Sequence, residues 1–201
     1  MGTTGEVLVA ASDPREARQI FDLAFAEIER VESDLSDYRP SSEVSRINHG
    51  AASSPVTIDP EMLLLLQNCL EMSRISDGAF DITIGPLVEV WGFFGGQGSL
   101  PSKVALERAR EKVGWQHVEL DPDARTVFFR RRGVRIDLGA VGKGVALDAA
   151  RRTLLDAGGR KPTLLSLGRS TFRALGAQAR GFPIEVLSPL QADSILSEVT
   201  L

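Results

Sequence analysis

The sequence predicts an α+β domain in which helices flank a largely antiparallel sheet. Segments with a helical apolar period and segments with two-residue alternation come in mixed order, without the regular strand-helix alternation of a doubly wound parallel sheet. Several short strand-like segments follow one another with only turn residues between them, as in a meander. The 201 residues, 43% apolar and 25% charged, fall within the size and composition of one compact domain.

Residues 6–11 read as a short strand, and Asp13-Pro14 as a helix start, where an Asp side chain can accept from unpaired amides and Pro fits the first turn. The long helix that follows spaces Ile20, Ala24, Ile28, Val31 and Leu35 three and four residues apart, with Glu27, Glu29, Arg30 and Glu32 largely off that stripe. It ends at Ser-Asp-Tyr-Arg-Pro, 36–40. Residues 42–48 form a short helix, and Asp59-Pro60 opens another whose apolar run 62–69 is expected to lie inside the fold. Residues 76–98 hold six glycines, one proline, three phenylalanines and a tryptophan with little helical or strand period, which predicts an ordered binding loop. Pro101-Ser102 starts a helix through 112, after which 116–120, 126–130 and 134–137 read as strands. The glycines at 139–144 open a helix that runs to about 157 and stops at Gly158-Gly159, and 163–167, 171–175 and 183–187 read as three more strands. Residues 195–201 alternate like a strand and stop in mid-pattern; a strand there without a partner would leave an open edge, so we expect a single domain over 1–201, truncated at its C-terminal end.

Several function classes are excluded. A formal charge of −4 without a basic patch argues against nucleic acid as a partner, and the run Arg130-Arg131-Arg132 reads as a solvated turn. Cys69 is the sole cysteine, so no disulfide framework exists; its apolar surroundings make it a small core residue. No stretch approaches the roughly 20 consecutive apolar residues of a membrane helix, and the first residues lack the basic and apolar regions of a signal peptide. His49 and His117 are isolated, and neither a G-x-S-x-G elbow nor an exposed nucleophilic cysteine is present.

The most informative segment is Asp-Leu-Gly-Ala-Val-Gly-Lys-Gly at 137–144. A strand ends in the carboxylate of Asp137, Gly139 and its neighbours let backbone approach a ligand, and a helix start with Lys143 in its first turn favours an anion. A phosphate-bearing ligand is expected. The spacing matches neither a P-loop nor the dinucleotide pattern G-x-G-x-x-G, and taken alone the segment reads equally well as a glycine turn with an exposed lysine. In the 76–98 loop, Asp77 and Asp81 fit catalysis or turn capping, and Phe80 and Trp91 fit core anchoring. Tyr38, the sole tyrosine, lies in a polar turn where its ring can stack on a flat ligand.

Four segments in order resemble the ApbE family of FAD:protein FMN transferases: Met1-Gly2-Thr3; Leu35-Ser36-Asp37-Tyr38 with Ser42-Glu43 and Asn48; 76–93; and 137–148. The specific parts are Ser-Asp-Gly-Ala-Phe-Asp with Gly-Pro-Leu and Trp-Gly-Phe, then Asp-Leu-Gly, Lys-Gly and Asp. The resemblance implies an α+β fold of the T-fold kind, FAD as substrate with Mg2+, and transfer of FMN to a threonine of an acceptor protein with release of AMP. It implies catalytic roles for Lys143 and Asp77, and cofactor contacts from Met1, Tyr38, Asn48, Asp77, Phe80, Asp137, Gly139, Lys143, Gly168, Arg169 and Ser170. A backbone carbonyl near Ala140 would reach the metal. An exported, periplasmic or inner-membrane-anchored location is implied in the same way. Two departures stand out: Ala140 replaces a usual glycine, and Arg169 a member of a Gly-Gly pair. The sequence ends before the family's later segments, which bring the carboxylates that complete the metal site, so the resemblance implies an incomplete site. Two alternatives follow, an FAD pyrophosphatase that passes FMN to water and a truncated flavin-binding module without turnover.

Overall fold

The computed structural model describes residues 2–94, 96, 98–176, 181–191 and 194–201. In chain order the elements are β1 (Gly5–Val9), α1 (Pro14–Leu35), α2 (Glu43–Gly50), β2 (Val56–Thr57), α3 (Pro60–Ile75), α4 (Gly85–Val90), α5 (Lys103–Arg110), a 3-10 turn (Trp115–His117), β3 (Val118–Asp121), β4 (Thr126–Phe129), α6 (Gly139–Asp156), β5 (Thr163–Leu167), β6 (Thr171–Leu175), β7 (Pro183–Leu187) and β8 (Ile195–Thr200). The chain divides into two compact units, one of Met1–Glu32 with Val141–Leu201 and one of Ser33–Ala140. The α+β expectation holds, with every strand pair among the described residues antiparallel, but the described strands form three small sheets and not one.

In the first unit, β5 is the central strand of the order β1-β5-β6 and is buried at all five positions. Burial on both faces explains why Thr-Leu-Leu-Ser-Leu shows no clean alternation. Ala146, Leu147, Ala150 and Leu154 of α6 and Ile20, Ala24 and Val31 of α1 are buried, as the helical spacing in α1 requires. Asp13 starts α1 as expected, its carboxylate accepting from the Arg15 amide at 2.8 Å. At the end of α6, Gly158 takes a φ of +81° and the Gly159 amide donates to the Leu154 carbonyl at 2.8 Å, a glycine stop. The 195–201 alternation is not left unpaired: β8 pairs with β7 in a two-stranded ribbon, bulged between Val186 and Leu187.

The second unit packs α2 and α3 with the order β2-β4-β3 around Val44, Ile47, Met62, Leu66, Ile82, Val127, Phe129 and Ile136. Ser42 and Ser102 cap α2 and α5, accepting from the amides of Ser45 at 2.9 Å and Ala105 at 3.2 Å. Three expectations change here. α3 does not lie inside the unit: Met62, Leu66, Cys69 and Ser73 form one buried stripe while Leu64, Met72 and Ile75 face solvent, so its apolar run covers more than one face. The stretch 76–98 is not one loop, because Gly85-Pro86 starts the short helix α4, where Pro fits the first turn. Residues 134–137 do not join a sheet; only an isolated parallel bridge links Arg135 to Ile84. Their alternation still reports burial, with Val134, Ile136 and Leu138 at 3%, 0% and 3% exposure. No helix among the described residues is long and apolar enough to cross a membrane.

Burial pushes the Cys69 thiol up to about 11. Ellman's reagent at pH 8 should leave this single thiol unreacted in the folded chain and titrate one thiol once denaturant is added; rapid reaction without denaturant would contradict its place in the core. Arg169 holds a φ of +53° at the β5–β6 turn, a conformation that costs a residue with a Cβ about 1–2 kcal/mol. Arg169→Gly should therefore raise stability by about 1 kcal/mol, read as an upward shift of the urea midpoint at unchanged slope.

Candidate functional site

Each unit gathers one set of the residues singled out above. In the second unit the set centres on Tyr38. Its ring, exposed at 60%, stacks on Phe94 with centroids 4.5 Å apart and planes inclined by 13°, an offset-stacked geometry. The Arg135 guanidinium sits over the same Phe94 ring, 4.5 Å from its centroid. Arg135 also pairs with the carboxylate of Asp37, Nε donating at 2.8 Å, while Asn48 donates from Nδ2 to the other Asp37 oxygen at 3.1 Å. Asn48 in turn exchanges two hydrogen bonds with the backbone of Ile136, at 2.9 and 2.8 Å.

Burial raises the Asp37 carboxyl above its ordinary value, although Asn48 and Arg135 both pull it down. Glu43 at the start of α2 behaves the same way, raised by burial while accepting from the Asp59 amide at 2.9 Å and pairing with Arg46. The two acids of the 76–81 stretch separate clearly. Asp81 ties its turn together, accepting from the Thr83 amide and hydroxyl at 2.8 and 2.7 Å and from the Trp115 amide at 2.9 Å. Asp77 is exposed at a φ of +51°, and its carboxylate has no partner among the described residues. Phe80 is half-buried behind it. Asp137 accepts from the Gly139 amide at 2.7 Å and so closes the start of α6, with Ala140 exposed in the first turn.

In the first unit the set centres on Gly168. Lys143, from the first turns of α6, donates to the Ser170 hydroxyl at 2.8 Å. A Cβ on Gly168 would lie 2.7 Å from the Thr3 hydroxyl and 3.6 Å from the Lys143 ammonium, so the bare backbone lets these groups close around the turn. Arg169 is exposed on the same turn and its side chain has no partner among the described residues. A cation and two hydroxyls around an open backbone suit an oxyanion such as a phosphate. Met1 lies outside the described residues.

Sequence reasoning thus reaches Tyr38, Asn48, Lys143, Gly168 and Ser170 as members of real clusters, but misses Phe94, Arg135 and Asp37 as parts of one assembly. Arg135 is legible only as the polar position between buried Val134 and Ile136; its partner Asp37 lies 98 residues away, beyond any local pattern. His49 bonds the Ser45 carbonyl within α2, and Arg130 pairs with Glu119, so both keep structural roles. Among the described residues no three of His, Cys, Asp or Glu gather as a metal group. A cleft of about 450 Å3 in the first unit, lined by Glu16, Ile20, Leu23, Leu154 and Lys161, contains none of these site residues.

Comparison with known proteins places the chain. A Salmonella typhimurium protein named FAD:protein FMN transferase is 28% identical over 204 residues, covering 99% of this chain and 58% of its own length. A Klebsiella pneumoniae protein of the same name is 33% identical over 175 residues, 82% of this chain and 54% of that protein. The crystal structure of an ApbE protein from Thermotoga maritima superposes with a TM-score of 0.91 at 28% identity, covering 100% of this chain and 64% of that one. The flavin transferase ApbE from Vibrio cholerae, at 24% identity and a TM-score of 0.81, shares the fold over 94% of this chain and 62% of its own. The chain spans just over half the length of these curated relatives. With the ApbE family model matching residues 1–201 throughout, the chain belongs to the ApbE family.

Proposed function

We propose that this chain handles flavin as an FAD:protein FMN transferase, moving FMN from FAD to a threonine hydroxyl of an acceptor protein with magnesium and releasing AMP, with residues 1–201 as one domain of that kind. Relatives named FAD:protein FMN transferase support the reading. The observation that carries it is the Lys143–Ser170 contact beside the bare backbone of Gly168, a cationic, hydroxyl-lined turn suited to a pyrophosphate oxygen.

In this reaction the threonine Oγ attacks the phosphorus of the FMN half. The bond from that phosphorus to the bridging oxygen breaks, and AMP leaves with that oxygen. Such a transfer asks the protein for position and charge compensation more than for covalent chemistry. Lys143 offers the charge, and Gly168, Arg169 and Ser170 the surrounding donors. To Asp77, whose carboxylate has no partner among the described residues, we assign the acceptance of the threonine proton. Tyr38, held through Asn48, offers an aromatic face to the isoalloxazine, with Phe80, Asp137 and Gly139 as further contacts. Magnesium, when bound, supplies charge on the phosphate oxygens. It takes about six oxygen ligands, several of them water and substrate phosphate; the described residues offer the Ala140 carbonyl, and no three of His, Cys, Asp or Glu gather among them. A second reading is a module that binds FAD without turning it over, favoured by Arg169 at the turn beside Gly168.

Incubation of the chain with FAD, magnesium and a threonine-bearing acceptor peptide separates the readings by following AMP and peptide-bound flavin. Flavinylated peptide is expected. AMP with free FMN and unmodified peptide would instead indicate a pyrophosphatase, and FAD binding without AMP the non-catalytic module. Lys143→Ala should lower the rate of AMP release about 100-fold while leaving the melting temperature unchanged; an unaltered rate would remove Lys143 from the phosphate site.

A further inference from the structure

We propose that Arg135 is a positioning residue for flavin binding: by clasping Asp37 and covering Phe94 together, it fixes the Tyr38 ring as a pre-ordered platform. This inference rests on the reading that the open side of Tyr38 receives a flat aromatic ring. The geometry gives Arg135 two hands on one aromatic pair. Its guanidinium is 2.7 Å from Asp37, the residue next to Tyr38 in the chain, and 4.5 Å from the centre of the Phe94 ring on which Tyr38 stacks. The Asp37 side chain is only 7% exposed and that of Arg135 25%, so neither swings in solvent as a surface pair does.

Arg135 is itself fixed from two sides. Its carbonyl accepts from the Gly85 amide at 3.2 Å, and a Cβ on Gly85 would lie 2.6 Å from that carbonyl and 2.7 Å from the Arg135 Cγ, so only glycine admits the arginine this closely. The following residue, Ile136, is clamped by both ends of the Asn48 amide. The planar guanidinium then meets two different demands: a fork for the carboxylate and a flat face for the ring, which a lysine ammonium meets only as a point charge. Tyr38 adds one tie of its own, its hydroxyl reaching the Phe93 carbonyl at 3.4 Å. An exposed ring held this way loses little freedom when a ligand stacks on it, and pre-ordering of that kind appears as affinity.

The chain's single tyrosine makes the test direct, since 3-fluorotyrosine gives one fluorine resonance, that of Tyr38. Wild type, Arg135→Lys and Phe94→Leu are compared by this resonance, by melting temperature and by FAD titration followed through flavin fluorescence. Arg135→Lys keeps the charge opposite Asp37, and Phe94→Leu keeps the ion pair, so the two variants cut the same platform at different joints without a shared route to unfolding. Both should shift the fluorine resonance toward that of a free tyrosine and weaken FAD binding about tenfold, with melting temperatures near wild type. An unmoved resonance and unchanged affinity in Arg135→Lys, with wild type binding FAD and its resonance responding to it, would overturn the positioning role and leave the flavin reading standing. If the wild-type resonance does not respond while FAD binds, Tyr38 is not the platform and both fall.

Discussion

The paired hydrogen bonds between Asn48 and Ile136 are the constraint on which the second unit's candidate site depends. Residues 134–138 keep the alternating burial of a strand yet join no sheet, so the Ile136 backbone needs partners from elsewhere. One asparagine side chain supplies both, its Nδ2 donating to the carbonyl and its Oδ1 accepting from the amide, as a neighbouring strand would. Leaving both groups unpaired would cost about 1–3 kcal/mol each. The neighbouring bonds extend the same substitution: Gly85 donates to the carbonyl of Arg135, and Asp137 donates from its amide to Ile82. A segment held by such mixed partners presents Arg135 and Asp137 away from the buried side, which is how a lone extended stretch comes to carry the polar half of a site.

The first unit reaches its own cluster by a different device. β5 and β6 are joined by a short turn in which Gly168 and Arg169 both have left-handed backbone, at φ of +64° and +53°. This curls the turn back so that the Gly168 amide donates to Thr4 at 2.9 Å, just ahead of β1. Thr3 is thereby brought against the turn that Lys143 approaches from α6. The central strand is buried throughout, so the turn extends from a rigid base. Rigidity at the base and strain at the tip belong together, since a left-handed arginine persists only where the surrounding structure over-determines its backbone.

What was legible in the sequence follows from the range of the interactions involved. Local rules suffice for α1, α2, α5 and α6, because caps, proline and apolar spacing act within a few residues: Asp13, Ser42, Ser102 and Gly158 stand where those rules put them. The strands expected at 163–167, 171–175 and 183–187 stand at those bounds. The failures are of two kinds. Apolar richness predicts depth for α3, yet Leu64, Met72 and Ile75 face outward although nothing in their own identity says so. Strand-like alternation predicts sheet membership at 134–137, where a side chain 88 residues away takes the place of the neighbouring strand. The site divides along the same line. Lys143 and Tyr38 announce themselves by type and local setting, whereas the Arg135 assembly joins residues 37, 94 and 135 through contacts that exist only after folding.

The electrostatics of Asp37 bear on how that assembly is held. A carboxylate paired with arginine and accepting from an amide would ordinarily titrate below its usual value, yet burial prevails and the Asp37 carboxyl is raised. An acid whose folded value exceeds its unfolded one subtracts from stability at neutral pH, and the subtraction fades as pH falls through the raised value. Burial thus weighs against the ionised form of Asp37 even beside its arginine. What it provides is direction: Asp37 fixes the chain beside Tyr38, Arg135 fixes the ring beneath it, and the two are oriented by one another at 2.7 Å. A stabilising hydrophobic pair could fill the same volume without specifying where an exposed aromatic ring points, and it is the pointing that a flat ligand would read.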